Sequence, residues 1–430
     1  MYAVRWSVLI AAIFMGVLPY VPLPHPYTGR TVLSISKERL ERLPVFPMTT
    51  DGWPSVQAGR LLNVSYLPAA SKVLGAETVA IAPGEHGNLA LLDRDGVLHV
   101  TKGPDHITIE SSGRIGVVGR PLGYTYDAEK RLVICDSVAG LLRYDASEDS
   151  MTILANALPD GFVRAGSQLV PTASPQPCSL TSLAATTAFP LLSSTPHRTP
   201  LRFVNALDIS RHTGKIFFSS ATDQTLSWHG PDRLGGSGFY DTMTGAKMNL
   251  VHGSPTGRLL VYDPATKKVT CLLESLFFAN GVALAPNDEF VLVCESYGAR
   301  VLRLWLKGPR EGTSDTFVDR LPGFPDGISP RDGGGYWVSI VNPPNVLGRL
   351  AGSLAVRALL GHIMPLVEPL VKKFGCVAKV SANGTKQSLL MDIKGSHVQS
   401  VASAHQHGRK LYLGNLMGAG VSVLELAEGE

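Results

Sequence analysis

The stretch FFANGVALAPNDEFVLVCESYGARVLRLWL (Phe277–Leu306) decides the fold. It holds apolar runs of strand length separated by Pro-Asn-Asp and Tyr-Gly turn signals, a strand–turn–strand unit with apolar and polar residues alternating. The same unit recurs in NLALLDRDGVLHVT (Asn88–Thr101), KRLVICDSVAGLLRYD (Lys130–Asp145) and GKIFFSSATD (Gly214–Asp223). It returns in GGYWVSIVN (Gly334–Asn342) and KLYLGNLMGAGVSVLEL (Lys410–Leu426). Six landmarks at irregular spacing imply six repeats of a small, four-stranded sheet. Such a sheet cannot bury both of its faces alone, whereas radial stacking covers both and leaves only short, protected edges. The expected fold is an all-β, six-bladed β-propeller with an N-terminal apolar anchor helix and an amphipathic helical insertion.

Composition agrees with many turns and no helical bundle: the 430 residues include 44 glycines and 30 prolines, and only 17% are charged. The net charge of +4 is spread without a basic run, so nucleic acid is not an expected partner. The five cysteines show no CxxC pair and no zinc spacing. Strand-like surroundings predict buried thiols at Cys135 and Cys294, while a Cys271–Cys294 pair is open in an oxidising compartment.

After Arg5 comes the apolar run Trp6–Leu18, the length of a signal-peptide core, and no small-x-small cleavage site follows. Retention of residues 1–23 as a signal anchor is therefore expected, with a linker over 24–54 and the propeller over 55–430. The sequons at Asn63 and Asn383 are candidate glycosylation sites and suit a lumenal or extracellular propeller on a membrane of the secretory pathway or cell surface. Two insertions interrupt the rhythm. Residues 165–200 are rich in Ser, Thr, Pro and Ala and read as a flexible loop. Residues 346–375 show helical apolar spacing with Arg349, Arg357 and Lys372/Lys373 between, and predict amphipathic helices broken at Pro365 and Pro369, packed on the propeller or at a membrane surface.

Inner strands of a propeller begin at the central axis. Glu77, Asn205, Asn280 and Asp326 each precede or open an apolar strand in a different repeat. Two carboxylates and two amide oxygens in one cavity ask for a hard cation, Ca²⁺ before zinc. Singly, Asn280-Gly281 and Asp326-Gly327 read equally as turn dipeptides. His405 and His407 are two apart near the rim, in what reads as a connecting loop, and His405 is the candidate base for activating water. Ser219-Ser220 and Ser339 lie in no GxSxG elbow, so no serine triad is expected. Tyr336 and Trp337 are expected to pack between blades.

The block Gly257–Ile340, with GRPLGYTYD, PLRFVNALDIS and HQHGRKLYLG, resembles the strictosidine synthase-like family, and more distantly paraoxonases and gluconolactonases. The resemblance implies a six-bladed propeller on a single N-terminal anchor, esterase-type hydrolysis, and an axial metal at positions matching Glu77, Asn205, Asn280 and Asp326. Two departures stand out. The glutamate that performs the synthase condensation is matched by Ala402, which cannot shuttle a proton. The aspartate that many relatives carry after the RFVN asparagine is matched by Ala206. The expected function is a membrane-anchored, calcium-dependent hydrolase of a small ester or lactone. The alternative is a non-catalytic propeller receptor or scaffold, which the loss at Ala206 and Ala402 favours.

Overall fold

Each of the six landmarks falls in a different sheet of a computed structural model of the chain. The structure describes residue 17 and residues 50–428, except 85–86, 104, 118, 159–175, 178–198, 232–237, 254, 343–352, 368–372 and 417. Blade 1 consists of Ala80–Ile81, Leu89–Leu92, Val97–Thr101 and Ile109–Arg114. Blade 2 follows with Pro121–Tyr126, Leu132–Asp136, Gly140–Asp145 and Ser150–Ala155. Blade 3 is Val204–Ile209, Ile216–Ser220, Gly257–Asp263 and Lys268–Leu276, and blade 4 is Ala279–Leu284, Phe290–Glu295, Arg300–Trp305 and Ser314–Val318. Blade 5 is Pro325–Pro330, Tyr336–Ile340, Gly375–Val380 and Lys386–Asp392, with Ser55–Gln57 added in parallel at its edge.

Blade 6 closes the ring with strands from both ends of the chain. Val401–His407, Lys410–Asn415 and Ser422–Glu425 are completed by Ser65–Tyr66, whose residues pair antiparallel with Val423 and Ser422.

Among the described residues, apolar side chains hold the blades together in six clusters, each between two successive sheets. Val133, Cys135, Val204 and Phe218 join blades 2 and 3, and Leu292, Cys294, Val338 and Cys376 join blades 4 and 5. Leu67, Leu89, Tyr412 and Val423 join blade 6 back to blade 1. Second strands such as LVICD and FVLVCE are buried along their whole length because they have a neighbouring blade on both faces. Trp337 and Tyr336 pack between blades, as expected. Cys135, Cys294 and Cys376 are free and buried. Cys271 is disulfide-bonded, though not to Cys294, which is a free thiol inside the blade 4–5 cluster, so the pairing left open in the sequence does not form.

Helix α1 (Thr242–His252) was not foreseen. Asp241 caps its N-terminus, its Oδ1 accepting from the Thr244 N–H at 3.0 Å, and Gly253 (φ 75°) ends it in the left-handed conformation. Within the second insertion, α2 (Leu354–Val367) forms as expected but runs through Pro365 rather than breaking there. A proline in the last turn removes one backbone bond, and the helix ends two residues later. Arg357 is not on a solvated face: it is buried against α1 and its Nη1 donates to the Val251 carbonyl at 3.0 Å. The α1–α2 contact is made by Met248, Val251, Ala358 and Leu360. The loop reading of residues 165–200 lies outside the described residues, apart from Gln176–Pro177, a short strand at the edge of blade 3. The anchor and linker expectations also lie outside them, and among the described residues no helix is long and apolar enough to cross a membrane.

Candidate functional site

The inner strand of every blade from 2 to 6 carries a register break near its start: between Pro121 and Tyr124, Val204 and Leu207, Ala279 and Val282, Pro325 and Ile328, and Val401 and Ser403. A bulge leaves a residue out of the ladder and re-aims its side chain. The residues inside these bulges include Leu122, Asn205, Asn280, Asp326 and Ala402. The recurrence identifies one structural position, occupied by different side chains around the axis. Asn280-Gly281 and Asp326-Gly327 are therefore bulges in inner strands and not turns.

Serines of the second strands satisfy the bulged backbone. Ser219 Oγ accepts from the Ala206 N–H (3.1 Å), and Ser339 Oγ accepts from the Gly327 N–H (2.8 Å) while lying 2.7 Å from the Ala402 carbonyl oxygen, to which it can donate. These are the serines that lacked a nucleophile motif, and their hydrogen bonds give them a structural task. Side chains are excluded where blades meet: a Cβ on Gly327 would stand 2.7 Å from the Ala402 carbonyl, and one on Gly281 would collide with the backbone of Asp326. Ser403 Oγ donates to the Glu77 carbonyl at 2.6 Å and so brings the segment entering blade 1 to the same ring.

Glu77, Asn205, Asn280 and Asp326 are all buried. Burial raises the Asp326 carboxyl to about 7, against the opposing effect of hydrogen bonding from Asn280. Burial raises the Glu77 carboxyl well above the usual range, the Asp326 charge adds to the rise, and Arg120 works against it. Among the described residues the Oδ1 atoms of Asn205 and Asn280 are buried with no hydrogen-bond partner, although Asn280 Nδ2 donates to Ser296 Oγ at 3.3 Å. Buried amide oxygens are rarely left without a partner. Two orphaned oxygens beside two carboxyls that resist ionisation fit a hard divalent cation bound by all four. Among the described residues no group of three or more His, Cys, Asp and Glu could hold a metal, so the mixed carboxylate–amide set is the candidate.

One step upstream of this ring lies a second one. The carbonyls of Arg120, Phe203, Phe278 and Phe324 accept equivalent backbone bonds from Ser137, Ala221, Ser296 and Val341, at 2.9, 2.8, 3.1 and 3.1 Å. Phe203 and Phe278 meet edge to face at 5.2 Å, Phe278 and Tyr297 stand at 5.2 Å, and Tyr297 and Phe324 at 5.4 Å. Helix α1 covers this aromatic mouth: Ala246 and Leu250 pack on it, and Tyr297 OH donates to the Ala246 carbonyl at 2.6 Å.

His405 lies on the inner strand of blade 6, not in a loop, three residues beyond Ala402. Its counterparts Asp208 and Ser329 reach the next blade's backbone, at the Leu284 N–H (2.8 Å) and the Ala404 carbonyl. Burial lowers the His405 imidazole to about 4, and no described hydrogen bond joins it to the four axial residues. The sequons are exposed at Asn63 and Asn383.

A strictosidine synthase family profile matches residues 236–309. The adipocyte plasma membrane-associated protein of Rattus norvegicus is 31% identical over 305 residues, covering 69% of this chain and 67% of the relative. Its counterpart in Mus musculus is 35% identical over 222 residues, half of each chain. Among solved structures, a gluconolactonase from Xanthomonas campestris superposes with a TM-score of 0.51 at 15% identity, covering 89% of this chain and 98% of that one. At that identity the likeness is one of fold.

Proposed function

The chain belongs to the strictosidine synthase-like family, and from that premise we propose that it is a membrane-anchored propeller hydrolase of small carboxylic esters or lactones, working with an axial calcium ion. The observation that carries the proposal is the pair of orphaned buried oxygens, Asn205 Oδ1 and Asn280 Oδ1, beside Glu77 and Asp326. These four residues would hold the cation. Bound there, it would supply Lewis-acid polarisation of a carbonyl and stabilisation of the oxyanion. The protein's own part is to keep Asp326 in a bulge pinned by Ser339 and Glu77 in a segment pinned by Ser403, under an aromatic mouth covered by α1.

Proton transfer from water is assigned to His405. With its imidazole near 4, this role predicts that the acid limb of the pH–rate profile lies near that value and not near 6.5. The synthase condensation has little support, since Ala402 places a methyl group in the axial register where an acid or base is required. The names of the relatives support the membrane placement; a lumenal or extracellular propeller is part of the same proposal. Exposed Asn63 and Asn383 are consistent with glycosylation.

The test is calorimetry of calcium binding, with Asp326→Ala alongside, followed by ester and lactone panels. Saturable binding that the variant lacks, with turnover lost in parallel, supports the reading. No calcium binding and no turnover would favour the receptor or scaffold alternative. That alternative draws on one specific observation, the covering of the axial mouth by α1.

A further inference from the structure

The residue that follows the second strand occupies one equivalent place in blades 2 to 5. Ser137, Ala221, Ser296 and Val341 stand there, each donating its backbone N–H to the carbonyl just before the inner strand of its own blade. The bulged axial positions of the same four blades carry Leu122, Asn205, Asn280 and Asp326. Of these four pairings, only that of blade 4 sets a serine beside an amide. In blade 3 the methyl group of Ala221 gives Asn205 no such acceptor.

Ser296 is 3% exposed, and its hydroxyl has a single hydrogen. Oγ lies 2.7 Å from the Pro325 carbonyl oxygen, which can only accept, so the hydrogen is committed there. What Oγ offers Asn280 is a lone pair, and only the NH₂ group of the side chain can meet it. Asn280 Nδ2 donates to Oγ at 3.3 Å. The amide is thereby held with Oδ1 turned away from Ser296, and this is the buried oxygen that lacks a partner among the described residues. Hydrogen bonding from Asn280 to the Asp326 carboxyl acts in the same sense, because a carboxylate only accepts. Once Asp326 engages a cation, the lone pair of Ser296 remains to hold the NH₂ group. The serine is itself fixed. Glu295, one residue earlier, accepts from the Phe277 N–H at 2.8 Å and from Arg300 Nε at 2.5 Å, which anchors the short helical turn Ser296–Gly298.

We infer that Ser296 is a positioning residue of the axial site: its hydroxyl, committed to the Pro325 carbonyl, locks the Asn280 amide with Oδ1 available to the cation. An amide free to turn would present its NH₂ group to the ion in one of its two orientations, and that group repels a cation. Because Pro325 immediately precedes Asp326, the same hydroxyl ties the Asn280 ligand of blade 4 to the backbone that carries the Asp326 ligand of blade 5. The inference rests on the calcium reading proposed above and deepens it, naming the group that selects the ligand atom of Asn280.

The experiment is calorimetric titration of the chelator-treated full chain with calcium, in a double-mutant cycle of Ser296→Ala and Asn280→Asp. A carboxylate presents an oxygen in either orientation and needs no lock. Ser296→Ala is expected to weaken calcium binding about tenfold in the wild-type background and by less than about twofold in the Asn280→Asp background. A merely structural role would cost the same in both. Ser296→Cys fills the same space with a weakly bonding thiol and is expected to repeat the pattern, so it serves if Ser296→Ala fails to fold. Equal losses in the two backgrounds, or undiminished affinity in Ser296→Ala, overturn the inference and leave the calcium site standing. Loss of calcium binding in Asn280→Asp takes Asn280 out of the ligand set and overturns it as well. Absence of calcium binding in the wild type overturns the calcium reading and the inference together.

Discussion

The Asp326 charge raises the carboxyl of Glu77, although the two residues enter the axis from blades 5 and 1 and lie far apart in the chain. Two like charges buried together are a liability to the folded protein unless a cation joins them. A divalent cation bound between the two would relieve it, which is the role the proposed function gives to the ion.

Asp326→Asn should therefore act in opposite directions on stability and on binding. Without calcium the variant should unfold at a higher temperature than the wild type at neutral pH, by about 1 kcal/mol, because it no longer repels Glu77. Its calcium affinity should fall by about 100-fold, roughly 2.7 kcal/mol. Thermal unfolding with and without calcium reads both. An Asn variant that calcium stabilises as strongly as the wild type would remove Asp326 from the site.

His405 gives a pH prediction with a definite sign. Burial lowers its folded value from 6.5 to about 4, so the native protein holds the ring neutral while the unfolded chain protonates it first. The stabilisation is fully present above 6.5 and is lost as pH falls from there toward 4, on the order of 2 kcal/mol. His405→Gln should flatten that part of the stability curve, measured by denaturant unfolding at several pH values. If the residue also serves as the base, turnover falls in the same variant with calcium affinity unchanged. Unaltered turnover assigns His405 to blade packing alone.

The contrast between what was and was not readable in the sequence has a physical basis. Asn205, Asn280 and Asp326 were legible because each sits at the head of an apolar strand, a signal that is local and repeated. Ala402 was legible only against relatives, since a methyl group carries no chemical signal of its own. The structure adds that it shares the axial register with Asn205 and Asp326. Helix α1 is weakly signalled because TMTGAKMNLVH has no marked apolar stripe and a glycine within it, and only the caps Asp241 and Gly253 at its ends announce it. Arg120 was hidden in an otherwise ordinary turn-and-strand motif. Only the equivalent hydrogen bonds at Phe203, Phe278 and Phe324 reveal that it occupies a mouth position. Long-range register, unlike periodicity, is not written in any one segment.

Tyr297 ties the roof to the mouth, and Tyr297→Phe tests how much the hydroxyl contributes. The ring contacts with Phe278 and Phe324 would persist, while the bond to the Ala246 carbonyl would be lost, at about 1 kcal/mol. Amide exchange over Thr242–His252 should speed up about fivefold, with the blades unaffected. If α1 exchanges at the wild-type rate, the helix is held by Met248, Val251 and α2 and not by this bond.

Closure of the ring by Ser65–Tyr66 makes the fold depend on a short N-terminal segment. Leu61 is fully buried in the blade 5–6 cluster, Arg60 Nη2 donates to the Glu425 carbonyl at 2.6 Å, and the Leu67 N–H donates to the Val421 carbonyl at 2.9 Å. A chain beginning at residue 50 keeps all of these contacts. One beginning at residue 71 loses them, exposes the outer edge of Ser422–Glu425 and uncovers apolar surface between blades. The shorter chain should lose its cooperative thermal transition or melt at least 10 °C lower, followed by circular dichroism, whereas the longer one should melt cooperatively. Loss of a single buried leucine already costs about 2–5 kcal/mol, a large part of a domain's stability. Equal midpoints for the two chains would mean that the ring is held by blade-to-blade packing without its N-terminal strand.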